Sequence, residues 1–139
     1  MTPTIALRAA AVIAFLQWVA HTTLFLRAKP RHGAEEVAVI DAMKSHYFAF
    51  GGASRSYWDL YFGYGLIAAV VVLVEAILFW QLGTAPDAAR PLVRSVAVLF
   101  LAFNAAHALL AARYFFVTPT VPDVLIALCL ATAVVGLRR

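Results

Sequence analysis

An all-α fold of four membrane-crossing helices is what this sequence predicts, and three observations predict it. Hydrophobic residues make up 64 % of the chain, against ~45–50 % in an ordinary soluble domain. Charged residues are only 13 %, about half the soluble norm of ~25 %. The apolar residues also gather into four runs, each near the ~17–25 residues that cross a hydrocarbon core as a helix. A chain of 139 residues folding in water has no core large enough to enclose that much apolar surface. Isolated strands are excluded as spans, because their backbone groups would stay unpaired in lipid.

The four spans fall at about residues 9–26, 57–81, 93–112 and 121–137, in a single membrane domain covering residues 1–139. The first follows Arg8, carries Gln17 and His21, and runs to Arg27-Ala28-Lys29 without a small-x-small cleavage site, so it reads as a retained span. The loop after it is long. From about residue 34 to residue 48 it reads as an amphipathic interfacial helix, with Val37, Ile40, Met43 and Tyr47 at helical spacing. Gly51-Gly52 then turns the chain into span 2.

Ser56-Tyr57-Trp58-Asp59 has the spacing of a capping box opening span 2. Gly83-Thr84-Ala85-Pro86 separates spans 2 and 3, and Thr118-Pro119 separates spans 3 and 4. Thr120-Val121-Pro122-Asp123 reads as a second capping box opening span 4, with proline in the first turn. Short connections make spans 2, 3 and 4 antiparallel neighbours in an up-down bundle.

The net charge of +4 is carried by no basic cluster, which excludes a nucleic-acid-binding face and leaves basic residues flanking spans. Arg8, Arg90, Arg94, Arg138 and Arg139 fall on one side. Arg27, Lys29, Arg31, Lys44, Arg55 and Arg113 fall on the other. That near-tie selects no orientation under the positive-inside rule. The lone Cys129 rules out an intrachain disulfide and reads as a small buried hydrophobe.

Polar groups within spans are costly and normally face the bundle interior. At 1.5 Å per residue, His21 lies roughly 9 Å inward from Arg27 and His107 roughly 10 Å inward from Tyr114. Tyr61 and Tyr64 lie roughly 7 and 12 Å beyond Ser56, in the same layer. Gln17 and His21 share a face of span 1. Asn104, His107 and Tyr114 share a stripe of span 3, and Tyr57, Tyr61, Tyr64 and Glu75 share one on span 2. These stripes predict an internal pocket lined by Gln17, His21, Arg55, Tyr57, Asp59, Tyr61, Tyr64, Asn104, His107 and Tyr114. Arg55 and Asp59 are expected to form an ion pair at its mouth, and Glu75 to clasp Arg94 outside it.

Three functions fit. The first is binding of a hydrophobic small molecule or lipid in that pocket. Were chemistry to occur there, His21 or His107 would serve as acid or base, with Asp59 and the tyrosines orienting it. The second is a non-catalytic membrane subunit or regulator, a homo-oligomer or the partner of another membrane protein, whose polar residues only pack helices. The third, a lesser one, is a haem protein with His21 and His107 as axial ligands. The sequence requires no cofactor and shows no metal motif.

The run Arg55-Ser56-Tyr57-Trp58-Asp59-Leu60-Tyr61-Phe62-Gly63-Tyr64-Gly65, preceded by Ser45-His46-Tyr47-Phe48, resembles the signature of a family of small uncharacterised bacterial membrane proteins. Their motif is close to Arg-Ser-Tyr-Trp-Asp-x-Tyr-x-Gly-aromatic-Gly, in four predicted transmembrane helices. The resemblance implies a multi-pass protein of the cell inner membrane and no particular activity. The sterol-isomerase and sigma-2-receptor superfamily is similar in architecture alone, since span 1 here carries no acid.

Overall fold

The computed structural model describes residues 1–138; Arg139, counted above among the flanking basic residues, lies outside them. In chain order the elements are α1 (Pro3–Leu26), α2 (Ala34–Ser45), β1 (Tyr47–Phe50), β2 (Ala53–Ser56), α3 (Tyr57–Leu82), α4 (Arg90–Tyr114) and α5 (Val117–Gly136). A single 3-10 turn at Asp87–Ala89 leads into α4. Among the described residues α1, α3, α5 and the Asp87–Tyr114 stretch containing α4 are long and apolar enough to cross a membrane. The chain is a multi-pass, all-α membrane protein, as its apolar runs predict.

Two compact units make up the chain. The first comprises residues 1–19 and 72–138, and the second residues 20–71. In the first, residues of all four long helices share a core: Ala6, Leu7, Ala10, Ala11 and Ala14 of α1, Ala76 and Phe79 of α3, Val93 and Ala97 of α4, and Ile126, Leu130, Ala133 and Val134 of α5. Small side chains dominate because lipid supplies no hydrophobic drive for helices to associate, so close backbone approach and van der Waals contact must hold them. Gly136 shows the same economy of space, since a Cβ there would fall 2.7 Å from Pro3 Cγ.

The second unit holds the end of α1, helix α2, the β1–β2 hairpin and the start of α3. Here the structure corrects the expected interfacial helix, which stops at Ser45 instead of continuing to residue 48. Tyr47–Phe50 pairs antiparallel with Ala53–Ser56, from Tyr47 opposite Ser56 to Phe50 opposite Ala53. Gly51 and Gly52 have φ of 58° and 82°, the double left-handed turn that matches strand twist in a two-residue hairpin loop. The aromatic-rich Tyr47–Phe50 run ahead of Gly-Gly favours the extended chain over one more helical turn.

The second correction concerns α5. It starts at Val117, not near residue 121, so Thr118 and Pro119 lie in its first turn and Pro122 lies inside the helix. The chain reverses instead at Phe115 and Phe116, whose backbone is not helical. Pro119 costs nothing there because the first four helical N–H groups have no intrahelical acceptor. With the helix start moved, Asp123 is no capping residue. It is a buried acid inside a span.

Replacing the fully buried Ala10 by leucine is expected to overfill the four-helix core and cost about 1–3 kcal/mol. The same change at exposed Ala102 should stay within about 0.5 kcal/mol. Denaturant unfolding in detergent micelles compares the two.

Candidate functional site

Asp123 is the centre of the polar packing in the first unit. The Gln17 amide Nε2–H donates to its Oδ1 at 2.8 Å, and the His107 Nδ1–H donates to its Oδ2 at 2.8 Å. Three helices thereby meet on one carboxylate that is 2 % exposed. Six residues into α5, Asp123 needs those donors, because a carboxylate out of water without partners is prohibitively costly. The His107 ring stacks on Phe103, four residues earlier on α4, with centroids 5.9 Å apart. Its Nε2 has no partner among the described residues.

A second buried carboxylate lies in the same unit. The Asn104 amide Nδ2 donates to Glu75 Oε1 at 2.9 Å and to the Phe100 carbonyl at 3.0 Å. Glu75 and Asn104 are 4 % and 1 % exposed. The expected Glu75–Arg94 clasp is therefore not formed. Among the described residues Arg94 Nε is buried without a hydrogen bond, and the amide three residues before His107 takes the acid instead. Helix phase explains the choice: Asn104, Ala108 and Ala111 are the buried stripe of α4, and Glu75 of α3 meets that stripe.

In the second unit, the His21 Nε2–H donates to the Gly65 carbonyl at 3.0 Å. His21 also stacks on Phe25, with centroids 5.6 Å apart and planes 6° from parallel. Phe25 in turn packs on Phe62 and Tyr61. The contact needs a glycine, because a Cβ at position 65 would overlap the Phe25 ring. Among the described residues His21 thus serves as a helix-to-helix hydrogen-bond donor.

A cleft of about 600 Å³ opens beside this aromatic group, lined by the end of α1, one face of α2 and the start of α3. Phe25, Trp58, Tyr61 and Phe62 form its wall, and Ile40 and Met43 of α2 its opposite side. The rim carries mixed charge from Lys29, Lys44, Glu35, Glu36 and Asp41. The Lys44 ammonium sits 4.7 Å from the Trp58 ring centroid, a cation–π contact that ties α2 to α3. The start of α2 is organised by Glu36, whose carboxylate accepts from the backbone N–H groups of Arg31 at 2.5 Å and His32 at 2.7 Å. Those two bonds hold its pKa below the ordinary 4.5.

The remaining predicted residues scatter. The capping box forms as expected: Asp59 N–H donates to Ser56 Oγ at 3.1 Å, and Ser56 N–H donates to Asp59 Oδ2 at 2.8 Å. Asp59 is thereby a helix-start residue. The expected Arg55–Asp59 ion pair does not form, because Arg55 lies on a strand, where helical i,i+4 spacing has no meaning. Its guanidinium donates to the Ser54 carbonyl at 2.8 Å. Tyr57 packs against Phe48 and His46 of the hairpin region. Tyr64 and Tyr114 are 72 % and 71 % exposed and line neither the cleft nor the Asp123 packing.

No family model, curated protein or solved structure matches this chain. The site is read from its own geometry. Among the described residues no group of three or more histidine, cysteine, aspartate or glutamate side chains stands where it would hold a metal ion. As the side chains lie, His21 spends on the Gly65 carbonyl the nitrogen that an axial haem ligand would present, and the geometry lends that reading no support.

Sequence reasoning missed Asp123 and misassigned Glu75. The available signal was their rarity. They are two of only seven acidic residues, and both stand in apolar surroundings. An acid in a span is a candidate for interior pairing before it is a candidate cap.

Two outcomes are expected here. The Glu36 pKa is lowered on folding, so its contribution is present above the unfolded value near 4.5 and is lost as pH falls through the lower folded value. Amide-exchange protection at Arg31 and His32 should fall in that acidic window, and in Glu36→Ala it should be low at every pH. Gly65→Ala should swing Phe25 aside without unfolding the chain, because the clash falls on the far end of a side chain. A ring-current shift on the His21 side-chain resonances reports the displacement.

Proposed function

We propose that this protein binds a hydrophobic small molecule or a lipid chain in the cleft between α2 and the paired ends of α1 and α3. The observation that carries the reading is the cleft itself. Its volume of about 600 Å³ falls within the ~300–1,000 Å³ of small-molecule sites. Four aromatic rings line it, together with the charged side chains of Lys29, Lys44, Glu35, Glu36 and Asp41. An amphipathic element laid across an aromatic wall suits a ligand that partitions from the bilayer, with its apolar part on Phe25 and Phe62 and its polar end among the rim charges.

The site differs from the one the polar stripes predict. Tyr61 belongs to both, whereas His107, Asn104 and Gln17 belong to the Asp123 packing. The resemblance carried by residues 55–65 supports a bacterial inner-membrane setting as part of the same proposal. A second reading, a non-catalytic subunit or regulator, is favoured by the interhelical bonds of Gln17, Asn104 and His107, which suffice as packing.

Trp58 provides the test. With Trp18 and Trp80 changed to phenylalanine, it is the sole tryptophan. A brominated long-chain alcohol added to the protein in nanodiscs should quench Trp58 saturably. Phe62→Ala should weaken the half-saturation concentration by about tenfold, or ~1.4 kcal/mol. Quenching that rises linearly with probe, identical in Phe62→Ala, would mean that Trp58 meets bulk lipid and no site exists.

A further inference from the structure

We propose that the Asp123–His107 pair, with Gln17 and the Glu75–Asn104 pair behind it, is an intramembrane proton-binding site that exchanges its proton at His107 Nε2. Two carboxylates, Glu75 and Asp123, are almost fully buried in one helical packing, and among the described residues His107 is the only group hydrogen-bonded to either that can carry positive charge. With both acids ionised and the imidazole neutral, the packing holds two negative charges in lipid-like surroundings. One proton on the imidazole and one on a carboxyl make it neutral. The set therefore has vacant proton positions and a strong electrostatic reason to fill them.

The other charged and titratable groups on the helices packed here supply no substitute. On α1, Arg8 lies over the Trp80 ring at 5.2 Å. On α4, Arg94 is ten residues from Asn104, roughly 15 Å along the helix, and Arg113 lies over Tyr114 at 5.3 Å. On α5, Cys129 lies six residues beyond Asp123, roughly 9 Å away.

The geometry also provides a place for the proton. His107 keeps Nδ1–H on Asp123 Oδ2, which leaves Nε2 as the exchanging nitrogen on a side chain that is 47 % exposed. When Nε2 takes up a proton, the neutral imidazole becomes an imidazolium against the Asp123 carboxylate and no other bond changes. Gln17 adapts to the alternative state. Its Nε2–H now donates to Asp123 Oδ1, while its own Oε1 is buried without a partner among the described residues. Rotating the amide by half a turn would present that oxygen to a protonated Asp123, whose O–H would then donate. Helix packing alone asks for neither an imidazole nitrogen left unbonded among the described residues nor an unused amide acceptor beside a carboxylate.

The test uses the full chain in nanodiscs, with ¹⁵N-labelled histidine and His107 assigned by its loss in His107→Gln. His107 should show the Nδ1–H tautomer at high pH and become doubly protonated as pH falls. Both Asp123→Asn and Glu75→Gln should shift that midpoint by at least about one pH unit, a tenfold change in proton affinity. His21→Gln should leave it in place. In the unmutated protein, an infrared band of protonated carboxyl should disappear on alkalinisation, a readout independent of whether the variants fold. A His107 that keeps one protonation state throughout, a midpoint indifferent to both acids, or the absence of any titrating carboxyl band would overturn the proposal.

Discussion

Two carboxylates cannot sit inside a lipid-facing helix packing unless neighbouring helices bring donors to them, and the first unit is arranged around that requirement. Gln17 from α1 and His107 from α4 converge on Asp123 of α5, and Asn104 from α4 converges on Glu75 of α3. Each bond selects one helix phase. Rotating α4 by one residue, about 100°, would carry Asn104 away from Glu75 and take from that carboxylate its amide donor. The alanine-rich core allows many close packings, since small side chains interlock with little discrimination. The polar bonds choose among them.

The second unit depends less on buried polarity than on local chain geometry. Gly51 and Gly52 close the hairpin, and the hairpin's last residue, Ser56, is also the cap of α3. Strand register therefore sets where α3 begins. Starting α3 there places Trp58, Tyr61 and Phe62 on the turn that faces α2, and the Lys44–Trp58 contact holds the two together. The aromatic wall of the cleft follows from a turn, a cap and a helical period, each of them a short-range effect. Gly65, one turn further on, admits Phe25 against α3, where any side chain would exclude it.

How much was legible varied with the range of the interaction involved. The Ser56–Asp59 box reads directly from four residues because both of its bonds are local. Pairing partners did not read in the same way. Glu75 and Arg94 are complementary in charge, yet an uncharged amide took the acid, because which side chains meet depends on the azimuth of two helices that sequence spacing leaves free. Asp123 was hidden by a locally sound pattern: Thr-x-Pro-Asp is good capping chemistry, and only the start of α5 one turn earlier turned the cap into a core residue. The signal for the hairpin was Gly-Gly after an aromatic-rich run, but the helical spacing of Val37, Ile40, Met43 and Tyr47 carried the expected helix past its end.

Composition and run length alone determined that this chain crosses a membrane four times as helices, because lipid accepts few other backbone arrangements and 64 % apolar residues leave water no alternative. Tertiary structure alone decided which polar groups share a site. It joined Gln17 to a residue 106 positions away and Asn104 to one 29 positions away. It also turned Tyr64 and Tyr114 outward, although their spacing placed them on the predicted stripes. Helical periodicity specifies a face, and only packing against other helices says what that face meets.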